Sequence, residues 1–143
     1  LLVARKDTPI AGQYQGIYYH MDSLDHANLI EFKSTRIKAN ENEPNISDGW
    51  LKQIMGYLKT QGQLVCSLVV LHVIQPELLA WDLTFTQEEI DANWEWLEDR
   101  RDTWVEFASK DEPPTPFTFN ESWECKNCNW KVYCEAMSGQ GQP

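Results

Sequence analysis

The longest apolar run of the chain, Leu64 to Ile74, sets the strongest limit on its fold. The run contains His72 and is too short to cross a bilayer as a helix, so we expect it inside a folded domain. A nearly continuous apolar segment of this length is typical of a strand that is covered on both faces. A second β-rich run, Leu78 to Phe85, follows a short connection that contains Pro76. The two runs predict the centre of a sheet.

Two helical patterns accompany these strands. Ser47 or Asp48 can cap a helix that Gly62 ends. Thr86-Gln87-Glu88-Glu89 has the capping-box pattern and opens a long amphipathic helix that runs to about Ala108. With strands near the start of the chain, the order is strands, helix, strands, helix. We therefore expect an α/β or α+β domain in which helices flank a central mixed sheet.

The chain of 143 residues is long enough for one domain with a real core. We expect residues 1–112 to form the core and residues 113–137 to form a cysteine-bearing metal or cluster segment packed on it. A proline-rich stretch, 112–116, predicts a stiff connector between them, and 138–143 predicts a disordered tail. Because the chain opens on Leu1 rather than Met, we also expect it to be an N-terminally truncated fragment of a longer protein.

The formal net charge of −10 argues against a surface that binds nucleic acid by bulk electrostatic attraction. Local positive charge occurs only in short runs such as 33–38, which are interpreted either as a solvated strand end or as a phosphate contact. No secretory signal or membrane span is visible, so the expectation is a soluble, cytoplasmic protein without a membrane partner.

The segment from Asp22 to Lys33 holds the strongest functional pattern. Side chains alternate along a strand, so Glu31 and Lys33 share one side and Ile30 and Phe32 the other, which predicts charge opposite the core. We expect the preceding strand to pair with this one around residues 25–28. That hairpin would place Asp22 beside Glu31 and Lys33.

Two neighbouring carboxylates repel each other unless a cation lies between them, and oxygen ligands suit Mg²⁺ or Mn²⁺. Asp22 and Glu31 are therefore candidate metal ligands, and Lys33 is a candidate for handling a water or an anion. Asp25 is a poorer carboxylate candidate because it lies in the hairpin connection. The alternative is an exposed strand face crossed by salt bridges.

Three other polar side chains are candidates for the same site. Gln53 and Tyr57 lie four residues apart and so share a helix face that can look toward Asp22 and Glu31, although an ordinary amphipathic helix is the alternative. His20 shares a strand face with Asp22 and is either a metal or phosphate contact or a structural histidine.

Three cysteines, Cys125, Cys128 and Cys134, lie within ten residues. Clustered thiolates bind zinc or iron–sulfur clusters, which usually have four protein ligands. Cys66 lies in the apolar run and is interpreted as a small buried side chain. His26 and His72 are possible fourth ligands of a zinc site, but a cysteine N-terminal to this chain is the preferred one.

Taken in order, these motifs resemble the PD-(D/E)XK nuclease superfamily, and more closely its RecB-like exonuclease branch with C-terminal iron–sulfur cysteines, found in CRISPR-associated and phage proteins. The resemblance runs from about Gly16 to Cys134. It rests on four motifs: Gly16-x3-His20-Met21-Asp22, Leu29-Ile30-Glu31-Phe32-Lys33-Ser34-Thr35, Gln53-x3-Tyr57, and Cys125-x2-Cys128-x5-Cys134.

The resemblance implies a restriction-endonuclease-like fold and a metal-dependent DNA exonuclease that acts on single strands or duplex ends. Asp22 and Glu31 would bind Mg²⁺ or Mn²⁺, and Lys33 would position the hydrolytic water or stabilise charge on the phosphate. Gln53 and Tyr57 would support the site and contact DNA.

For the cysteines, the resemblance implies three of the four ligands of a 4Fe–4S cluster in the full-length protein, with zinc as the alternative. It also implies protein partners in a DNA-processing complex, in CRISPR adaptation, DNA repair or phage metabolism. The family's first cluster cysteine and its early active-site histidine have no counterpart in this chain. The rival function is a non-catalytic nuclease-like module with a zinc- or cluster-stabilised interaction surface.

Overall fold

The computed structural model describes residues 10–25, 28–39, 46–110 and 126–139. These ranges contain both strands and helices, and the expected α/β or α+β class is confirmed. The elements are β1 (Ile10–Tyr14), β2 (Ile17–Met21), β3 (Ser23–Asp25), β4 (Asn28–Thr35), α1 (Asp48–Gln61), β5 (Val65–His72), β6 (Glu77–Thr84), α2 (Gln87–Ser109) and α3 (Lys131–Gly139).

The central sheet has the strand order β3-β4-β5-β6. β4 and β5 are parallel, whereas the β3–β4 and β5–β6 pairs are antiparallel, so the sheet is mixed as expected. Parallel neighbours need a crossover connection, and α1 lies in the segment that joins β4 to β5. β1 and β2 form a separate antiparallel pair.

The predicted pairing of the first strands is wrong in one respect. β2 pairs with β1 through a two-residue turn at Gln15 and Gly16, whose φ angles are 46° and 81°. Positive φ at both positions matches the twist of a tight hairpin. Of the strands that precede β4, it is the short β3 and not β2 that pairs with β4, with Ser23 opposite Ile30. A bend at Asp22 passes the chain from the first pair to the central sheet.

Both helices of the core begin and end as the sequence predicts. The Ser47 hydroxyl accepts the backbone N–H of Trp50, and Gly62 ends α1 in the left-handed region at φ 63°. In α2, Thr86 and Glu89 form the reciprocal hydrogen bonds of a capping box. These caps satisfy backbone groups that would otherwise be unpaired at the helix ends.

The core lies between one face of the central sheet and α1. Cys66, Leu68 and Val70 are buried on that face of β5 and pack in one cluster with Ile54 and Leu58 of α1. Burial of these apolar side chains is the main favourable contribution to folding. On the other face of β5, Val65 and Leu71 are exposed within the described residues, which corrects the expectation that this strand is covered on both faces.

The charged face of β4 is the buried one, contrary to the sequence prediction. Leu29 and Glu31 point into the core and are 0% and 1% exposed, whereas Phe32 on the opposite face is 53% exposed. The side chains alternate as predicted, but the face predicted to be exposed is buried and the face predicted to be buried is exposed. A carboxylate inside the core carries a desolvation cost and needs compensating partners.

The expected division into a core of 1–112, a cysteine segment of 113–137 and a tail stays a prediction, because the proline-rich connector lies outside the described residues. None of the helices in the described ranges has the length and apolar character that crossing a membrane would require.

Candidate active site

Asp22 is placed by the bend between β2 and β3. Its Oδ2 accepts the backbone N–H of Phe32 at 2.9 Å, which fixes the carboxylate beside β4. Continuing the β3–β4 register by one residue sets Asp22 opposite Glu31. The predicted proximity of the two carboxylates is therefore present, although a bend and a backbone hydrogen bond produce it rather than a pairing of β2 with β4.

Glu31 is held by only one of its two oxygens. Oε1 lies 2.5 Å from the Lys33 ammonium. Oε2 is buried and has no hydrogen-bond partner among the described residues. A buried, unpartnered carboxylate oxygen is costly, so its presence calls for a specific reason. Beside a second carboxylate, that oxygen is suited to a hard divalent cation such as Mg²⁺ or Mn²⁺.

Lys33 is fixed from two sides. Besides Glu31, its Nζ donates to Oε1 of Gln53 at 2.8 Å, and Nε2 of Gln53 donates to the Tyr57 hydroxyl at 2.6 Å. We call Glu31, Lys33, Gln53 and Tyr57 the polar row. It links β4 to α1 and uses both ends of the Gln53 amide. The predicted helix face of Gln53 and Tyr57 thus looks toward the carboxylates.

The electrostatics of the row follow from burial. Desolvation raises the pKa of Glu31 above its usual value, the Lys33 ammonium lowers it in part, and the charge of Asp22 raises it further. Burial likewise raises the pKa of Tyr57, and the charges of Glu31 and Asp22 add to that rise. The carboxylates and the phenol thus share one electrostatic environment, which a bound cation would make more favourable for the charged forms.

Within the described part of the chain, no group of three or more His, Cys, Asp and Glu side chains is arranged to hold a metal ion. A two-carboxylate site is compatible with magnesium, which usually keeps several waters and binds through one or two carboxylates plus substrate phosphates. The backbone of Asp25 takes part in the β3–β4 pair, and its side chain is not among the described parts of the structure.

A cavity of about 630 Å³ adjoins the polar row and is bounded by β2, α1 and α2. His20 is exposed and lines this cavity together with Gln53 and Tyr57. The other lining residues include Tyr18, Tyr19, Trp50 and Trp94. The sequence predicted the two helices that carry Trp50 and Trp94 but gave no reason to connect these side chains to a site.

The turn of the β1–β2 hairpin is anchored on α2, which is how the cavity is formed. Nε1 of Trp94 donates to Oε1 of Gln15 at 2.5 Å, and the Arg101 guanidinium donates to the Gln15 carbonyl oxygen. The sequence signal for this hairpin was Gln15-Gly16 between two alternating segments. A predicted hairpin at this position would have placed β2 along one side of the cavity.

Two of the three clustered cysteines lie in the described residues. Cys128 is exposed and its Sγ accepts the backbone N–H of Trp130 at 3.4 Å. Cys134 is half-buried on α3. Cys125, the third predicted ligand, lies outside the described residues, as does His26.

The two remaining candidate ligands are core side chains. Cys66 is buried as expected, and burial raises its pKa to about 12. The Nδ1 atom of buried His72 lies 2.8 Å from the carbonyl oxygen of Ile37. Both environments suit structural roles in the core.

Comparison with known proteins does not place the chain in a family. No family model matches it, and no curated protein matches it. Among solved structures, it is similar to SSO0001, known from a crystal structure, with 19% sequence identity and a TM-score of 0.44. The match covers 90% of this chain but only 58% of that one. A similarity of this size carries no argument about fold or activity.

Proposed function

We propose that the chain is the catalytic domain of a metal-dependent deoxyribonuclease of the PD-(D/E)XK type, an exonuclease of the RecB-like branch. The observation that carries the proposal is the buried Glu31, whose Oε2 has no partner among the described residues while Asp22 lies beside it. Lys33 is held at 2.5 Å from the same carboxylate. This combination is suited to hydrolysis of a phosphodiester bond.

In this proposal, Asp22 and Glu31 would hold Mg²⁺ or Mn²⁺. When bound there, such a cation would act as a Lewis acid: it would lower the pKa of a water and offset charge on the phosphate. Lys33 would position the attacking water, or a phosphate oxygen, by donating a hydrogen bond, and its ammonium would offset the negative charge that develops on the phosphate. Gln53 and Tyr57 orient Lys33 through the polar row, which makes them positioning residues.

The clustered cysteines would form a structural site that is separate from the catalytic residues. Cys125, Cys128 and Cys134 would supply three thiolates to a 4Fe–4S cluster in the full-length protein, with zinc as the alternative. Their role would be to fix the C-terminal segment on the core. The expected partners are DNA, as single strands or duplex ends, and proteins of a DNA-processing complex.

A second function, a non-catalytic interaction module, is favoured by one observation. Trp130, Val132 and Tyr133 around the cysteines are 70%, 78% and 52% exposed. Exposed aromatic and apolar side chains in one short segment are typical of a protein-binding surface. This surface is compatible with a nuclease as well, so cleavage decides between the two functions.

The test is cleavage of end-labelled single-stranded DNA by the full-length protein after metal removal and after addition of Mn²⁺. We expect cleavage only with metal, and loss of about 100-fold or more in Asp22→Asn, because removing a metal ligand removes the charge stabilisation of the reaction. Asp99→Asn, an exposed carboxylate on α2, is the matched control and retains activity. Metal-independent cleavage, or equal rates for the two variants, would refute the proposal.

A further inference from the structure

The cavity beside the polar row has the size and lining of a ligand site. Its volume of about 630 Å³ lies within the range of small-molecule pockets. Six of its lining residues are aromatic or imidazole side chains from β2, α1 and α2: Tyr18, Tyr19, His20, Trp50, Tyr57 and Trp94. Flat rings of this kind offer faces on which another flat ring can stack.

Part of the cavity wall is rigid and part is exposed. Trp94 is buried, its indole N–H is tied to Gln15, and its ring meets the Tyr14 ring edge-on with the centroids 5.3 Å apart. Tyr18 on β2 is 78% exposed. Trp94 is thus held in place on the inner side, and Tyr18 presents an aromatic ring that a ligand can reach from solvent.

The cavity shares lining residues with the candidate active site. Gln53 and Tyr57 line it and also form half of the polar row that holds Lys33. His20 lines it from β2, two residues before Asp22. A ligand in the cavity therefore lies next to the residues proposed to act on a phosphodiester.

The charge of the chain limits how nucleic acid can be bound. With a net charge of −10, bulk attraction for phosphates is weak, although Lys52 is among the lining residues. Stacking of bases on aromatic side chains supplies affinity without a large positive surface, and it is tolerant of sequence because every base has a π-face.

We propose that this cavity binds an unpaired nucleobase of the DNA strand whose phosphodiester lies at Asp22 and Glu31. The proposal rests on the proposed nuclease function and specifies its substrate. A base inside a duplex is stacked on its neighbours and has no free face, so the site selects single-stranded DNA and frayed ends. The outer rim of the site is Tyr18, and the buried wall is Trp94.

The test measures binding separately from cleavage. The full-length protein is titrated with a fluorescently labelled single-stranded oligonucleotide in Ca²⁺ without Mn²⁺, and with the same strand carrying abasic sites at its terminal three nucleotides. We expect the abasic strand to bind about 10-fold more weakly, because it has no base to stack on the aromatic side chains. A blunt duplex of the same length should bind as weakly as the abasic strand.

Tyr18→Ala tests the rim directly, since a side chain that is 78% exposed contributes little to folding. We expect this variant to weaken binding of the intact strand about 5-fold or more and to reduce the abasic effect, as coupled contacts do. Trp104→Ala, which removes an exposed aromatic ring of α2 outside the cavity lining, is the matched control and keeps wild-type affinity.

Equal affinity for intact and abasic strands, or unchanged binding by Tyr18→Ala, would overturn the cavity assignment. The outcome is distinguishable from failure of the nuclease proposal. If removing the bases weakens binding but no Mn²⁺-dependent cleavage occurs, the base-binding cavity is supported and the nuclease proposal is refuted. If cleavage occurs but both strands bind with equal affinity, the nuclease proposal is supported and the base-binding cavity is refuted.

Discussion

The amide oxygen of Gln53 lies 2.8 Å from the ammonium nitrogen of Lys33, across the boundary between α1 and β4. The other end of the same amide donates to the Tyr57 hydroxyl. With one hydrogen bond to each neighbour, Gln53 fixes the position of Lys33 relative to the helix. Lys33 in turn lies against Glu31, so the helix positions the charged residues of the sheet.

Glu31→Gln is expected to stabilise the metal-free protein at neutral pH. Burial raises the pKa of Glu31, so the folded state holds its proton more tightly than the unfolded chain does. Well below pH 4.5 the carboxyl is protonated in both states, so its ionisation makes no difference between wild type and variant. As pH rises above that value, ionisation of Glu31 increasingly destabilises wild type, and the difference in free energy of unfolding grows.

Urea unfolding of both proteins between pH 4 and pH 8, in the presence of a chelator, checks this prediction. Glu106→Gln, at an exposed carboxylate paired with Lys110, is the control. A wild-type protein that becomes more stable relative to Glu31→Gln as pH rises would contradict the burial effect.

Mn²⁺ is expected to raise the Tm of wild type and not that of Glu31→Gln. At a concentration 100 times its Kd, a ligand that binds only the folded state adds about 2.7 kcal/mol, which corresponds to a rise of roughly 5 °C or more. Because protons and the cation compete for Glu31, the rise in Tm should shrink as pH falls. Calorimetry with and without Mn²⁺ measures it, and an equal rise in both proteins would place the metal elsewhere.

Gly62→Ala is expected to destabilise the fold by about 1 kcal/mol. Gly62 ends α1 at φ 63°, and an added Cβ would meet nothing within 4 Å, so the cost comes from the backbone conformation alone. Gln61→Ala, one residue earlier in the helix, should be nearly neutral. Equal effects of the two substitutions in chemical denaturation would show that the left-handed cap is unimportant.

Anaerobically purified full-length protein is expected to contain iron and to show a broad absorption band in the blue. Cys128→Ser should lose both, whereas Cys66→Ala should keep both because Cys66 is buried in the sheet core. Iron and zinc content, measured with the visible spectrum, decides the identity of the metal. If the protein contains zinc and no iron, the cysteines form a zinc site instead of a cluster. If it contains neither metal, the proposed metal-binding role of the cysteines is refuted.

The regular elements were predictable because their signals are local. Ser47, Gly62 and the Thr86–Glu89 capping box determine helix ends through hydrogen bonds within a few residues. Local signals could not predict which face of β4 is buried. Glu31 lies inside because α1 packs on that side of the sheet and supplies Gln53, which accepts a hydrogen bond from Lys33, 20 positions earlier in the sequence.

The candidate site was predictable in its residues and less so in its geometry. Alternation along one strand correctly grouped Glu31 with Lys33, and the four-residue spacing grouped Gln53 with Tyr57. The position of Asp22 depends on a bend between two sheets and a hydrogen bond to the Phe32 backbone, which no local pattern specifies. The aromatic cavity depends on Gln15 meeting Trp94, two residues far apart in the chain.

The most direct measurement of the central claim is the rate of Mn²⁺-dependent cleavage of labelled single-stranded DNA by the full-length protein and by Lys33→Ala. Lys110→Ala, at the exposed end of α2, serves as the control. We predict a loss of about 100-fold or more in Lys33→Ala with wild-type circular dichroism, and an unchanged rate in the control. Equal cleavage by wild type and Lys33→Ala would contradict the role of Lys33, and no cleavage by either would contradict the nuclease itself.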